Sequence, residues 1–144
     1  MGGRDKLFLA LGGRPLHSWC IDTLEACELV QEVVVALNDA GLRRAAHLAE
    51  ARGWRKTRAC SGGVRRQDSV SAALQLLGRV DWVLVHDGDR PFLTRKLVQD
   101  GIVAARETGA AVAAVRSKDT IKIVDSSDTV VETPSRDMLR AVQT

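Results

Sequence analysis

The stretch that most limits what this chain can fold into is Asp81-Trp82-Val83-Leu84-Val85-His86-Asp87-Gly88-Asp89-Arg90-Pro91-Phe92. Trp82 to Val85 is continuously apolar with two β-branched residues, which predicts a strand buried on both faces, as in a parallel sheet with helices on either side. The run then stops. Two carboxylates, a guanidinium, a Gly and a Pro crowd the turn where such a strand ends, which is where open α/β sheets hold their ligands. Two readings stand at this point. Asp and Gly are ordinary turn formers, so the segment suits a solvated strand-to-helix turn. It equally suits a site where a carboxylate holds Mg²⁺ against a phosphate while Arg90 grips another anionic group.

The rest of the chain supplies a scaffold for that turn. An apolar run near the N-terminus turns through Gly12-Gly13 into a helix with Pro15 near its first turn, and Leu16, Cys20, Leu24 and Cys27 give that helix one apolar face. Glu32 to Leu37 is a second buried-strand candidate, and Asn38-Asp39 starts a helix carrying Leu42, Ala45, Ala46 and Ala49. A short strand follows from Thr57 to Cys60. Ser61-Gly62-Gly63-Val64-Arg65-Arg66 leads into a helix with Val70, Ala73, Leu74 and Leu77 on one face. A Gly-rich loop at a helix start lets backbone N–H groups approach a phosphate or a base edge, although Gly-Gly turns before helices are also common as plain connections. Thr94 caps a helix that runs to about Thr108, with Leu97, Val98, Gly101, Ile102 and Ala105 inward and Gly109 closing it. Ala110 to Val115 reads as a central strand of small residues. Strand and helix alternate from residue 32 to residue 115, which predicts a three-layer α/β/α domain with a mostly parallel sheet. Thereafter the pattern changes to two β-rich runs joined by Asp125-Ser126-Ser127-Asp128, a hairpin arm of residues 118–134 that cannot bury itself. Pro134-Ser135-Arg136 begins a further helix.

Bulk properties exclude more than they identify. The chain has 144 residues, 45% of them hydrophobic and 27% charged, which suits one soluble domain. There is no signal core and no membrane-length apolar run, so a cytoplasmic protein without membrane contact is expected. The three cysteines form no C-x-x-C pair. Buried reduced thiols are expected of Cys20 and Cys27 rather than zinc ligation or disulfides. A net charge of +3 favours anionic partners only weakly. With aromatics at 3%, there is no basic stripe interleaved with aromatics, so no nucleic-acid partner is expected. Instead the basic residues Arg65, Arg66, Arg90, Lys118, Lys122 and Arg136 stand at predicted loops and element ends.

Val85 to Phe92 resembles the V-H-D-A-A-R-P-F signature of the 2-C-methyl-D-erythritol 4-phosphate cytidylyltransferase family, shared with its relative ribitol-5-phosphate cytidylyltransferase. Other motifs fall in the same order. Lys6, Phe8, Leu9, Leu11, Gly13 and Pro15 match P-K-Q-F-L-x-L-x-G-x-P, with Asp5 and Leu7 in place of Pro and Gln. Gly62, Gly63, Arg66, Ser69 and Val70 match G-G-x-x-R-x-x-S-V. Lys118 to Lys122 resembles R/K-D-T-I/M-K, an Arg stands at position 136 as in the family, and Val142-Gln143-Thr144 meets the start of Q-T-P-Q.

The resemblance implies a nucleotide-diphospho-sugar-transferase-like (Rossmann-like) fold. It also implies transfer of a cytidylyl group from CTP to 2-C-methyl-D-erythritol 4-phosphate, with pyrophosphate released, in isoprenoid precursor synthesis. It assigns Lys6 to catalysis, Asp87 to Mg²⁺, and Gly62, Gly63, Arg66, Ser69 and Gly88 to the nucleotide. Arg90, Thr120, Arg136 and Thr144 fall to the sugar phosphate, and the hairpin arm to a homodimer. Two departures accompany it. Asp89 stands where the family has a small neutral residue, either adding a metal ligand or repelling the substrate phosphate. The family's A-A-G-x-G-x-R-M phosphate loop precedes the equivalent of Met1, and its later acidic and lysine segments follow the equivalent of Thr144. Residues 1–144 therefore read as one incomplete cytidylyltransferase domain. Ribitol 5-phosphate as the acceptor, or a non-catalytic binding or dimerisation fragment, are the competing expectations.

Overall fold

The computed structural model describes residues 6–143. These residues form two compact units that divide after Asp100.

In the first unit, a single 3₁₀ turn, Lys6–Phe8, leads into a two-stranded hairpin, β1 (Ala10–Leu11) and β2 (Arg14–Pro15), paired antiparallel. Gly12 and Gly13 have φ of 58° and 79°, the left-handed pair that tight hairpin turns require. Helix α1 (Leu16–Glu25) follows with Pro15 at its N-cap, and it buries His17, Ser18, Cys20, Ile21 and Leu24. Cys20 and Cys27 are free and buried, as their spacing predicts.

Strands β3 (Val33–Leu37) and β4 (Thr57–Ser61) pair in parallel, from Val33 against Thr57 to Leu37 against Ser61. Helix α2 (Asp39–Arg52) makes the crossover. The side chain of Asn38 accepts from the Gly41 N–H at 2.8 Å, and Gly53, at φ 67°, ends the helix in the left-handed conformation. Carboxylates of α1 join this pair to the rest of the unit. Asp22 accepts from Arg14 at 2.7 Å, from the Trp54 indole at 2.8 Å, and from Arg52. Glu25 accepts from the Lys56 N–H and from the Thr57 hydroxyl at 3.0 and 2.6 Å. Helix α3 (Arg66–Leu76) comes next. Thr94 caps α4 (Arg95–Thr108) by accepting from the Leu97 N–H at 3.2 Å, and Val98 is fully buried.

The strand predicted at Trp82–Val85 is not formed as a buried strand. These four side chains are 40–47% exposed, and no ladder among the described residues includes them. A parallel strand has no local partner to fold against, and among the described residues none pairs with this one.

Besides residues 101–108 of α4, which runs across the division, the second unit is built from antiparallel pairs. β5 (Ala114–Arg116) pairs with β8 (Arg140–Val142), so the strand predicted at 110–115 is shorter than expected, exposed and antiparallel. β6 (Ile123–Val124) and β7 (Val130–Glu132) pair antiparallel, a short ladder inside the stretch 118–134. Its turn is fixed by the Asp125 carboxylate, which accepts from the Ser127 and Thr129 N–H groups at 2.8 and 3.0 Å. The helix predicted after Pro134 is a single 3₁₀ turn, Arg136–Met138, because the chain enters β8 at once. No helix among the described residues is long and apolar enough to cross a membrane.

Candidate functional site

Strand β4 ends at Ser61 and the chain turns directly through Gly62-Gly63. The Gly62 N–H donates to Leu37 O at 2.7 Å, which ties the loop to the carboxyl end of β3. A Cβ on Gly63 would stand 2.3 Å from Asp68 Cβ, so only glycine lets the loop pass this close to the start of α3. The Gly63 N–H donates to Ser69 Oγ at 3.0 Å. Asp68 accepts from the Arg65 N–H at 3.2 Å, satisfying a donor at the helix start, and pairs with the Arg65 guanidinium at 2.8 Å. Three residues predicted to act together, Gly62, Gly63 and Ser69, are thus joined in one loop and helix start.

Arg66, the first residue of α3, reaches a different segment. Its Nη2 donates to Asp87 Oδ1 at 2.8 Å and its Nε to the same oxygen at 3.2 Å. Arg90 Nε donates to the other oxygen, Oδ2, at 3.2 Å, and the Arg90 N–H closes a turn onto Asp87 O at 3.0 Å. His86 Nε2 donates to Arg90 O at 3.0 Å, holding the far side of that turn. Hydrogen bonding from Arg66 is the main reason that the Asp87 carboxyl lies below its ordinary range, with Arg90 adding to it and partial burial opposing. Arg66 and Arg90 are 59% and 43% exposed and the Asp87 side chain 26%, so the cluster is open to solvent.

The segment 86–90 also lies against the N-terminal turn. A Cβ on Gly88 would stand 3.0 Å from Leu7 Cδ2 and 3.7 Å from His17 Cβ. Lys6, exposed, opens that turn. The structure therefore brings together Arg66, Asp87 and Arg90, and joins the Gly62-Gly63 loop to the same helix. Thr120 and Arg136 belong to the second unit, where Arg136 Nη1 donates to Lys118 O at 3.4 Å. Thr144 lies outside the described residues. A cleft of about 470 Å³ lined by Arg14, Trp19, Asp22, Thr23, Phe92 and Arg95 contains none of these side chains. Its Arg14 and Thr23 already have partners in Asp22 and Leu93 O, so its lining offers less chemistry than the Asp87 cluster.

The family resemblance implies separate tasks for Arg66, Asp87 and Arg90, and the sequence carries no sign that one carboxylate holds both guanidiniums. His17 is also missed by motif. Its helical spacing to Cys20, Ile21 and Leu24 is the available signal, because a polar residue on a buried face must have a partner.

Known proteins resemble this chain over essentially all of its length. The family model of 2-C-methyl-D-erythritol 4-phosphate cytidylyltransferase matches residues 1–144. The protein of that name from Dehalococcoides mccartyi (strain 195) is 38% identical over 145 residues, covering 100% of this chain and 64% of the relative. The one from Bacillus cytotoxicus is 41% identical over 143 residues, covering 99% and 63%. Among solved structures, 4-diphosphocytidyl-2C-methyl-D-erythritol synthase from Anaerococcus prevotii superposes with a TM-score of 0.87 at 30% identity, over 94% of this chain and 60% of that one. The 2-C-methyl-D-erythritol 4-phosphate cytidylyltransferase from Thermus thermophilus gives 0.73 at 34% identity, over 99% and 64%. The chain spans less than two thirds of the length of these relatives.

Proposed function

The chain belongs to the 2-C-methyl-D-erythritol 4-phosphate cytidylyltransferase family, with its nucleotide-diphospho-sugar-transferase-like α/β fold, and from that premise we propose that it serves cytidylyl transfer from CTP to 2-C-methyl-D-erythritol 4-phosphate. The observation that carries the proposal is the convergence of Arg66 and Arg90 on Asp87 beside a glycine loop. Joining two polyanions demands that repulsion be overcome before the α-phosphate is attacked, so the work is positioning and electrostatics. A phosphate oxygen of the acceptor bonds to the α-phosphorus, and the bond to the β-phosphate oxygen breaks to release pyrophosphate.

In this reading Lys6 donates to the α-phosphate as charge builds there. The N–H groups of the Gly62-Gly63 loop, with Ser69, Gly88 and Arg66, hold the nucleotide. Arg90 binds the sugar phosphate, for which a planar guanidinium is the natural anchor. Asp87 is the residue that would hold Mg²⁺. The donor fits: Asp87 presents a partly exposed carboxylate held in its ionised form, and Mg²⁺ commonly binds one carboxylate with phosphate oxygens and waters. Bound there, the ion would neutralise charge across the phosphates. The guanidinium of Arg66, paired to Asp87 in the free protein, is exposed enough to transfer to an arriving triphosphate.

We also infer a homodimer through the β6–β7 hairpin. Ile123, Val124, Val130 and Val131 are 45–61% exposed, which is apolar surface that a second copy would cover. Sedimentation velocity over a range of concentrations tests that inference.

The test of function is pyrophosphate release from CTP, Mg²⁺ and 2-C-methyl-D-erythritol 4-phosphate, with the full-length Thermus thermophilus relative assayed alongside. Release that depends on all three supports the proposal. Acceptance of ribitol 5-phosphate alone moves the substrate assignment, and no release together with no shift in melting temperature by CTP and Mg²⁺ removes the catalytic reading.

A further inference from the structure

His17 is 2% exposed on α1, a place where an aliphatic side chain would pack at no polar cost. Its Nδ1 lies 2.5 Å from Leu7 O. A carbonyl oxygen can only accept, so Nδ1 carries the proton and the neutral ring is the Nδ1–H tautomer. The same ring meets the edge of Phe8, with centroids 4.7 Å apart at 63°. Phe8 also lies close to α2, where a Cβ on Gly41 would stand 3.1 Å from Phe8 Cε2. His17 thus holds two consecutive residues of the turn that begins with Lys6. A Cβ added at Gly88, next to Asp87, would stand 3.0 Å from Leu7 Cδ2 and 3.7 Å from His17 Cβ, so this loop passes close to both residues.

We propose that His17 is a positioning residue: by donating to Leu7 O and packing on Phe8, it sets the Lys6 turn against the Asp87 loop, whose Gly88 passes close to Leu7. Neither segment is rigid by itself, because Lys6 lies in a single 3₁₀ turn and Gly88 in a loop. Holding the turn from one buried ring, with Gly88 close to its Leu7, sets the spacing between an ammonium and a carboxylate that the proposed reaction needs on the same phosphates. The functional meaning rests on the cytidylyl-transfer reading, whereas the lock itself does not.

Three measurements test it. In the wild-type chain, imidazole ¹⁵N and ¹³C shifts should report the Nδ1–H tautomer for His17, and an Nε2–H tautomer overturns the proposal without any variant. Trypsin cuts after lysine, so cleavage at Lys6–Leu7 reads opening of the turn. His17→Leu, which deletes the donor, should raise that cleavage about fivefold to tenfold. His17→Asn, whose amide can reach the same carbonyl, should stay within about twofold of wild type. Equal cleavage in wild type and His17→Leu, or no rescue by Asn at matched melting temperature, overturns the lock. In the turnover assay His17→Leu should lose about tenfold in kcat while KM for CTP changes less than about threefold, as expected when geometry at the reacting atoms is lost and uniform binding is kept. A wild-type chain without turnover removes the functional reading, and the tautomer and cleavage still decide the lock.

Discussion

The Asp87 carboxylate accepts from guanidiniums of two separate segments, and its affinity for a proton falls for that reason. Arg66 contributes most. A carboxylate whose folded pKa is depressed adds stability that is present above its ordinary value, here 3.8, and is lost as pH falls through the lower folded value. Arg66→Gln should therefore raise the Asp87 midpoint toward 3.8, read from side-chain carboxyl ¹³C shifts. An unchanged midpoint would assign the depression to Arg90 instead. Cys20 works in the opposite sense. Burial pushes its thiol up from 9.0 to about 11, which favours the neutral form. Stability from this group is intact below pH 9 and should decline as pH rises towards 11, by about 2–3 kcal/mol in full. Denaturant midpoints for wild type and Cys20→Ala at pH 8 and pH 10.5 check this, because the alanine variant should lose less on the alkaline side. Gly63 is constrained sterically. Gly63→Ala should cost on the order of 1–3 kcal/mol in a denaturant titration, since a Cβ there meets Asp68 Cβ at 2.3 Å and the loop or the helix start must shift.

Among the elements, α4 shows how one side chain fixes a helix. Val98 is 0% exposed to solvent, while Leu97 beside it is 44% exposed. Val98→Ala should destabilise by roughly 2 kcal/mol through lost burial and the cavity left behind, whereas Leu97→Ala should cost well under half of that. Equal losses at the two positions would mean that α4 is not anchored by its Val98 face. The same contrast explains what can be read from the sequence. Asn38 and Thr94 are legible as caps because a short polar side chain before an apolar-periodic run has one local use, and both accept the expected N–H groups. β3 and β4 are legible because their runs flank a helix of crossover length. Trp82–Val85 is legible as apolar but not as unladdered, because pairing depends on residues distant in sequence. The 3₁₀ turn at Arg136–Met138 reads as a helix for a similar reason: a start signal says nothing of how soon a strand will claim the chain. At the site, the Gly62-Gly63 loop and its helix follow from local pattern. The Arg66–Asp87 pair joins residues 21 apart in the chain and has no local signature.

At the scale of the whole molecule, burial is distributed unevenly. Every buried side chain among the described residues precedes residue 100, including Cys20, Ile21, Leu24, Val33, Leu37, Leu93 and Val98. The second unit has antiparallel ladders but no buried side chain among its described residues, and Val112, Val115, Val130, Val131 and Val142 are 51–61% exposed. Hydrogen-exchange protection follows the free energy of local opening, which is small where ladders are short and little apolar surface is buried. Amides of α1, β3 and β4 should therefore exchange slowest. Those of β5 to β8 should exchange early, together with Trp82–Val85, which lies outside every ladder of the described residues. A two-stranded ribbon is marginal in water unless something covers it, so protection in β6 and β7 should rise with protein concentration if the hairpin joins two copies. Exchange followed by mass spectrometry at low and high micromolar concentration separates the outcomes. Protection of β6–β7 that climbs with concentration while β3–β4 stays constant supports the homodimer. Hairpin amides as slow as those of β3–β4 at every concentration would mean that the second unit is stable by itself. Fast exchange at every concentration would remove the hairpin as a dimer contact.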